Sequence, residues 1–420
     1  MISANNTCTT TSTSKKLVRG SKTIRIPLDR KTYNKALNDK NLLRSIIDDF
    51  IKSSPQIFPK TIVNGYYMHG YANVSKKLSI KQQRIKILET REVYTIAPCD
   101  IMPYMTGFTE DVEIPLLMRR FGVPHWALTY AFGKNPMYWY RMEVGLGRNS
   151  VVGTTVQLPE NLPKNLSADE KHTSIKGEKA YVATTVGSGC ILGASVSKSA
   201  DEEGLTKSYS TFKTESHNID PNYKPETVNT DGWSATILAW SNIFPTVVFI
   251  YCFLHSFIKI RDRCKKHPLF AEAARKIWLA YKATSKKSFS QRLRRLREWA
   301  AIQTDGVLLE SIMSLCGKVK KFSPAYDHVK CHRTSNMVDR LMRFMDKYLF
   351  GSQYFHGSLF AAEQSIRAWA ILRNFQPYAC SIKNNKKEVV CASKNLNGFM
   401  YRDNWLENLI VSTSMSGFRQ

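Results

Sequence analysis

A chain of 420 residues with 43% apolar content is long enough for two or three domains with real cores, and it is too apolar to be disordered throughout. Its 61 Lys and Arg against 34 Asp and Glu leave a formal charge of +27. That surplus favours a polyanion, nucleic acid being the usual one, over a neutral or acidic partner. Nine cysteines scattered from Cys8 to Cys391 form no dense framework. They point away from a disulfide-stapled secreted protein and toward reduced thiols in a cytoplasm, nucleoid-associated where the polyanion is DNA.

The first 30 residues are polar and lack the apolar stretch of a secretory signal, so residues 1–30 read as a disordered tail. Residues 31–160 read as a mainly helical region. Between Asn34 and Ser53, Leu37, Leu42, Leu43, Ile46, Ile47 and Phe50 recur at helical spacing. Farther on, IPLLMRRF, then Gly122 and Val123-Pro124, then HWALTYAF have the rhythm of a helix-turn-helix DNA-binding element, with Arg119 and Arg120 among its basic residues. An ordinary small helical domain with an aromatic core fits the same pattern.

Residues 161–376 have a different character. Lys179 to Val186 and Cys190 to Ser197 are strand-like on either side of Gly187-Ser188-Gly189, a hairpin. Thr206 to Ile219 reads as a helix, and Pro225 to Thr230 leads as a strand into Asp231-Gly232. Ile237 to Ile260 is apolar enough to suggest a membrane span, but Asn242, Pro245, His255 and Lys259 interrupt it. Pro245 divides it into a helix, Ser234 to Phe244, and a β-branched, aromatic buried strand, Thr246 to Leu254. No membrane span is therefore expected. A hairpin followed by strands alternating with helices predicts one mixed α/β sheet, with Asp169 on a strand beside the one that ends at Asp231. From about 267 to 321 the pattern is helical and basic. Lys286, Lys287, Arg292, Arg294, Arg295 and Arg297 crowd one stretch with few Asn or Gln to read base edges, which suits phosphate contact. Helices are expected near 335–350 and 361–375. Residues 377–420 read as a C-terminal tail in which Trp405, Leu406, Leu409 and Ile410 mark one short packed element.

Acidic residues are scarce, so their placement is informative. Asp169 precedes the hairpin, Asp231 closes a strand, and Asp339 lies in the helix that begins HRTSNMVDRLM. Each has a plainer reading when taken alone. An Asp before Gly is a turn residue, and an Asp in a basic helix is an ion-pair partner. Asp169 also competes with Glu170, and strand alternation lets only one of the two face a site. Together, three carboxylates from a strand, a strand end and a helix can converge on a phosphoryl-transfer site with two metal ions roughly 3.5–4 Å apart. Mg²⁺ needs only one or two protein carboxylates per ion. Cys252-x-x-His255, with Cys331-His332, has metal-ligand chemistry as well, but its spacing belongs to no common zinc module. A buried strand cysteine and a positioned histidine are the simpler reading.

Taken in order, Asp231-Gly232-Trp233 after a short strand, Cys252-Phe-Leu-His255 on the next strand, and Thr334-Ser-Asn-Met-Val-Asp339 resemble the mutator-type (MULE-like) transposases of prokaryotic insertion sequences and eukaryotic mutator-like elements. The second and third segments are similar to that family's C-x-x-H and T-[ST]-N-x-x-E signatures. The resemblance covers roughly Leu166 to Pro377. It implies an α/β, ribonuclease H-like mixed-sheet catalytic core with an all-helical insertion, preceded by a DNA-binding region. It implies Asp169, Asp231 and Asp339 as catalytic ligands of two Mg²⁺ (or Mn²⁺) ions, with Cys252 and His255 as auxiliary residues. The implied activity is that of a DNA transposase, cleaving and joining the ends of a mobile element. Its implied partners are terminal-repeat and target DNA and further copies of the chain. The family's last acid is usually Glu; here it is Asp339, one methylene shorter, with Glu363 and Asp346 as the substitutes nearby in sequence. Two other readings use the same residues. One is a ribonuclease H-like nuclease or resolvase that cleaves without joining. The other is a catalytically inactive, transposase-derived DNA-binding protein.

Overall fold

Four apolar cores organise the computed structural model, which describes residues 22–328, 330–379 and 390–418. The first core lies under a four-stranded mixed sheet of β1 (Thr23–Ile26), β2 (Tyr66–Tyr71), β3 (Gln83–Ile87) and β4 (Val93–Pro98), in the order β1-β4-β3-β2. In β3, Gln83, Ile85 and Ile87 are buried at every second position, as the pleat requires. Helices α1 (Arg30–Ala36) and α2 (Lys40–Ser53) cover this sheet. Their starts are fixed by Asp29, which accepts from the Thr32 N–H, and by Asp39, which accepts from the Asn41 and Leu42 N–H groups. The mainly helical region expected over 31–160 is thus corrected in its first half, where alternation in QRIKI and VYTIAP makes strands. The tail expected over 1–30 is corrected from residue 22 onward; residues 1–21 lie outside the described residues.

The second half of that region is helical: α3 (Thr109–Arg119), α4 (His125–Phe132), α5 (Pro136–Leu146) and α6 (Val151–Thr155). A second, five-stranded sheet follows. It consists of β5 (Asn165–Ile175), β6 (Glu178–Gly187), β7 (Cys190–Ser197), β8 (Thr227–Thr230) and β9 (Val248–Tyr251), in the order β7-β6-β5-β8-β9. The first three are antiparallel neighbours, and β8 and β9 run parallel to β5. Crossover helices α7 (Glu202–His217) and α8 (Ser234–Ile243) link β7 to β8 and β8 to β9. Alternation assigns the two faces. Leu166, Ala168, Ala183 and Leu192 pack with Tyr209, Phe212 and Trp240 of α7 and α8. Val182, Val186, Ile191 and Ala194 pack with α14 (Asn336–Gly351) and α15 (Leu359–Phe375) on the opposite side. The chain is therefore mixed α/β.

Between β9 and α14 lies an all-helical insertion with its own core: α9 (Phe253–Cys264), α10 (Phe270–Tyr281), α11 (Lys286–Gln303), α12 (Gly306–Gly317) and α13 (Val319–Phe322). The apolar stretch 237–260 is not one helix. Helix α8 ends at Ile243, β9 follows, and α9 begins at Phe253. The strand expected over 246–254 stops at Tyr251, because Cys252 caps α9. Among the described residues, no helix is long and apolar enough to cross a membrane. The segment expected as a C-terminal tail is also corrected over 390–418. Helices α16 (Ala392–Asn397) and α17 (Trp405–Ser412) are packed, with Leu406, Leu409 and Ile410 in the core beneath α15 and Val411 and Met415 in the core of the first sheet. The seven described cysteines are free thiols.

Candidate active site

Strand register brings the first two acids together. On adjacent parallel strands Ser167 of β5 pairs with Asn229 of β8. Asp169 and Asp231 each lie two residues beyond that pair, Asp169 inside β5 and Asp231 just past the end of β8, on strands about 4.8 Å apart. Alternation also separates Asp169 from its neighbour. The Glu170 carboxylate points away, accepting from the Tyr209 hydroxyl at 2.6 Å and the Thr236 hydroxyl at 2.8 Å. Asp231 turns the chain out of β8, its carboxylate accepting the Trp233 N–H at 2.8 Å. Gly232 has φ 93°, and a Cβ there would lie 2.8 Å from the Tyr251 ring. The Asp-Gly-Trp sequence thus has a local reason at each position: an acid that caps the turn, a glycine squeezed against β9, and the residue that starts α8.

The third acid depends on the two signature segments meeting. Cys252 follows β9 as the cap of α9, and its sulfur accepts the His255 N–H at 3.4 Å and the Ser335 N–H at 3.2 Å. The same thiol lies 3.2 Å from the Ser335 hydroxyl. Ser335 in turn donates to the Asp339 carboxylate at 2.7 Å. The His255 imidazole is 3.4 Å from the Ser335 hydroxyl and 3.8 Å from Asp339. The N-termini of α9 and α14 are therefore joined through one sulfur atom, and that joint sets where Asp339 stands. Arg333, just before α14, strengthens it. Its guanidinium sits 4.5 Å from the Tyr281 ring and 4.5 Å from the Tyr326 ring, tying α14 to the insertion.

Asp169, His255 and Asp339 share an open cleft of about 630 Å³, with Lys171, Arg340 and Arg343 on its walls. Asp231 is exposed and does not line the cleft, yet its charge acts on Asp169. Burial, and then the nearby charges of Asp231 and Asp339, hold the Asp169 carboxyl up to about 6, against the pull of the Glu170 N–H and His255. Burial likewise pushes Glu170 up to about 7. His255 is raised to about 9, first by its hydrogen bond with Cys252 and then by that thiol's charge and by Asp339. It is a cation at neutral pH, offsetting the acids. Burial would raise the Cys252 thiol, but hydrogen bonds from His255 and Ser335 bring it below its ordinary value.

Three carboxylates are the hard oxygen donors that a divalent ion such as Mg²⁺ takes, and their mutual repulsion at Asp169 is what such an ion would relieve. The set is open rather than closed. Among the described residues no three His, Cys, Asp or Glu side chains stand close enough to enclose an ion. The same fact leaves Cys252, His255, Cys331 and His332 without a zinc-like cluster; Cys331 instead donates to the Ala325 carbonyl. Of the substitutes for Asp339, Glu363 lies elsewhere, while Asp346 lines the same cleft but is held in an ion pair. Glu363 accepts the Val196 N–H at the far edge of the sheet, and Asp346 pairs with Lys171 at 2.6 Å on the cleft wall.

The basic residues expected to contact DNA divide sharply. Arg119 is corrected: its side chain is 2% exposed, paired with Glu143 at 2.7 Å and bonded to Ser352, so it is unreachable by DNA. Arg120 is half-buried and donates to the Pro377 carbonyl. On α11, Lys287, Arg294, Arg295 and Arg297 are exposed, Lys286 pairs with Asp327, Arg294 pairs with Glu298, and Arg292 donates to the Leu279 carbonyl. The helix-turn-helix rhythm does correspond to α3, a turn at Gly122 and α4. Helix α4 carries no Lys or Arg, however, and shows Trp126 and Tyr130 to solvent. Reading by sequence missed Ser335, Lys171, Arg340 and Arg343. Arg343 was findable as the i+4 neighbour of Asp339 on one helix face, and Arg340 as the i−3 neighbour of Arg343. Lys171 was findable as the same-face neighbour of Asp169, two residues on. Comparison with protein-family models and with curated proteins finds no match to this chain.

Proposed function

We propose that the chain is a metal-dependent DNA-cleaving and strand-joining enzyme, a mutator-type transposase with a ribonuclease H-like core. The observation that carries the reading is the register of β5 and β8. It sets Asp169, inside β5, and Asp231, just past the end of β8, each two residues beyond the Ser167–Asn229 pair, while a helix from beyond the insertion brings Asp339 to the cleft that Asp169 lines. The order β7-β6-β5-β8-β9, with three antiparallel strands followed by two parallel ones, supports the ribonuclease H-like part of the reading. The +27 charge supports DNA as the partner.

Two divalent ions, when bound, would polarise the phosphodiester and stabilise both the attacking and the leaving oxygen. The protein's own residues prepare for that. Asp169, Asp231 and Asp339 supply the carboxylate oxygens that hold the ions. Cys252 and Ser335 position Asp339 through the joint between α9 and α14. His255 holds a proton near the acids and offsets their charge. Arg340 and Arg343 flank the cleft where strand phosphates enter. A nicking and joining assay on oligonucleotide duplexes, with Mg²⁺ or Mn²⁺, tests the reading. Nicking followed by joining is the expected result. Nicking without joining identifies a nuclease or resolvase. DNA binding with no nicking in either metal identifies an inactive transposase-derived binder.

A further inference from the structure

The helical insertion has a second concavity, about 370 Å³, between α9 and α12. Lys259 and Arg263 of α9, Lys318 after α12 and the hydroxyls of Ser256 and Ser311 line it, with Glu310 the acid in its wall. Elsewhere in the insertion Arg261, Lys276, Lys286 and Arg294 each pair with a carboxylate. Lys259, Arg263 and Lys318 make no ion pair among the described residues. Lys318 is held below its ordinary value, first by burial and then by the ammonium groups of Lys259 and Lys321. Cations outnumber the one acid here, none of them in an ion pair among the described residues, beside hydroxyls that can donate.

The place matters as much as the chemistry. Leu254, His255 and Ile258 face the catalytic cleft, while Ser256, Lys259 and Arg263 lie on the next face of the same helix. At 1.5 Å of rise per residue, Lys259 and Arg263 lie roughly 6–12 Å along the axis from His255. At ~3.4 Å of rise per nucleotide, that is roughly two to four nucleotides of one strand. We propose that this concavity is a phosphate pocket gripping the backbone of the DNA strand a few nucleotides from the bond cut in the neighbouring cleft. Lys and Arg give charge-assisted hydrogen bonds to the phosphate oxygens, and the serines complete the donor set. The proposal rests on the DNA-cleaving reading above.

The test uses the full chain and duplexes in which one phosphate at a time is made a neutral methylphosphonate around the cut. Wild-type binding and nicking should fall at one or two positions, two to four nucleotides from the cut. Lys259→Gln/Lys318→Gln should be insensitive at those positions and no others. Its plot of log affinity against log salt should be shallower by about 0.9 for each phosphate it no longer neutralises. Arg263→Gln, at an exposed position, gives the same readout should the double variant not fold. A variant as sensitive as wild type at every position overturns the pocket and leaves the cleavage reading standing. Wild type that neither binds nor nicks DNA overturns both. A flat scan with inorganic phosphate ³¹P broadening that wild type shows and the variant lacks would mean a free-anion site, and would overturn the strand assignment.

Discussion

The Cys252 sulfur accepts two backbone N–H groups, one at the start of each of two helices. Cys252→Ala removes the acceptor of both bonds and should lower stability by about 1–2 kcal/mol, the size of a lost helix cap. Nicking should fall further than stability accounts for, because Asp339 moves with α14. Cys252→Ser should recover part of both. Thermal melts beside nicking rates decide it, and a Cys252→Ala protein unchanged in both would remove the thiol from the site. The residues of this joint were only partly legible in sequence. The C-x-x-H and T-S-N segments stood out by resemblance, but that one atom of the first holds the second is a fact of tertiary packing. Choosing Asp169 over Glu170 needed only strand alternation, once the strand was known. Arg119 shows the opposite case. Its charge was visible, but its burial against Glu143 follows from how α3, α5 and α14 meet.

That meeting of three helices is how the N-terminal half reaches the site. Arg119 of α3 pairs with Glu143 of α5, which also lies 3.0 Å from His125 of α4, and the Arg119 guanidinium is 5.2 Å from the Tyr348 ring of α14. Gly122 has φ 77°, and a Cβ there would lie 2.9 Å from the Lys347 carbonyl, so the turn between α3 and α4 rests directly on α14. The glycine that suggested a DNA-binding turn is one that lets two helices touch. Burial works to raise Glu143, but Arg119 and His125 prevail and hold it at about 2. That is below the ~4.3 of an unfolded Glu. The pair's stabilisation is therefore complete above about pH 4.5 and is lost as pH falls toward 2. Glu143→Gln strands a buried guanidinium and should cost about 3–5 kcal/mol at neutral pH. It should also flatten the stability profile between pH 4.5 and 2. Urea melts across that range check both, and a variant that loses stability with acid as steeply as wild type would contradict the account. At this scale helix periodicity was read well, while the first sheet was missed. Its strands are short, and β2, β3 and β4 sit between two true helices and a helical run, so the helical pattern around them dominated.

Across the whole molecule, residues 390–418 close the structure. Leu406 and Ile410 complete the core beneath α15, and Met415 completes that of the first sheet. Ending the chain at residue 398 should therefore remove cooperative unfolding rather than trim a tail; a truncated protein melting like the full chain would refute this. The basic insertion is a separate body with its own core, and its charges should act on DNA without regard to sequence. Neutralising Arg292, Arg294, Arg295 and Arg297 together should weaken binding to all duplexes alike and flatten the salt dependence, by about 0.9 in slope for each phosphate left without its cation. A loss confined to one sequence would make the cluster a base reader. Charge and the alternation of strands and helices made this organisation legible, whereas the closing role of the C-terminus was hidden because only its partners' positions reveal it. The central claim is that the carboxylates of Asp169 inside β5 and Asp231 at the end of β8 hold the ions that cut DNA, and Asp231→Asn tests it most directly. Asn keeps the size and the turn but loses the charge that binds a divalent ion. With Mg²⁺ or Mn²⁺, the variant should bind duplex DNA as wild type does and neither nick nor join it. Wild-type nicking by Asp231→Asn, or full wild-type nicking in excess EDTA, would contradict the account.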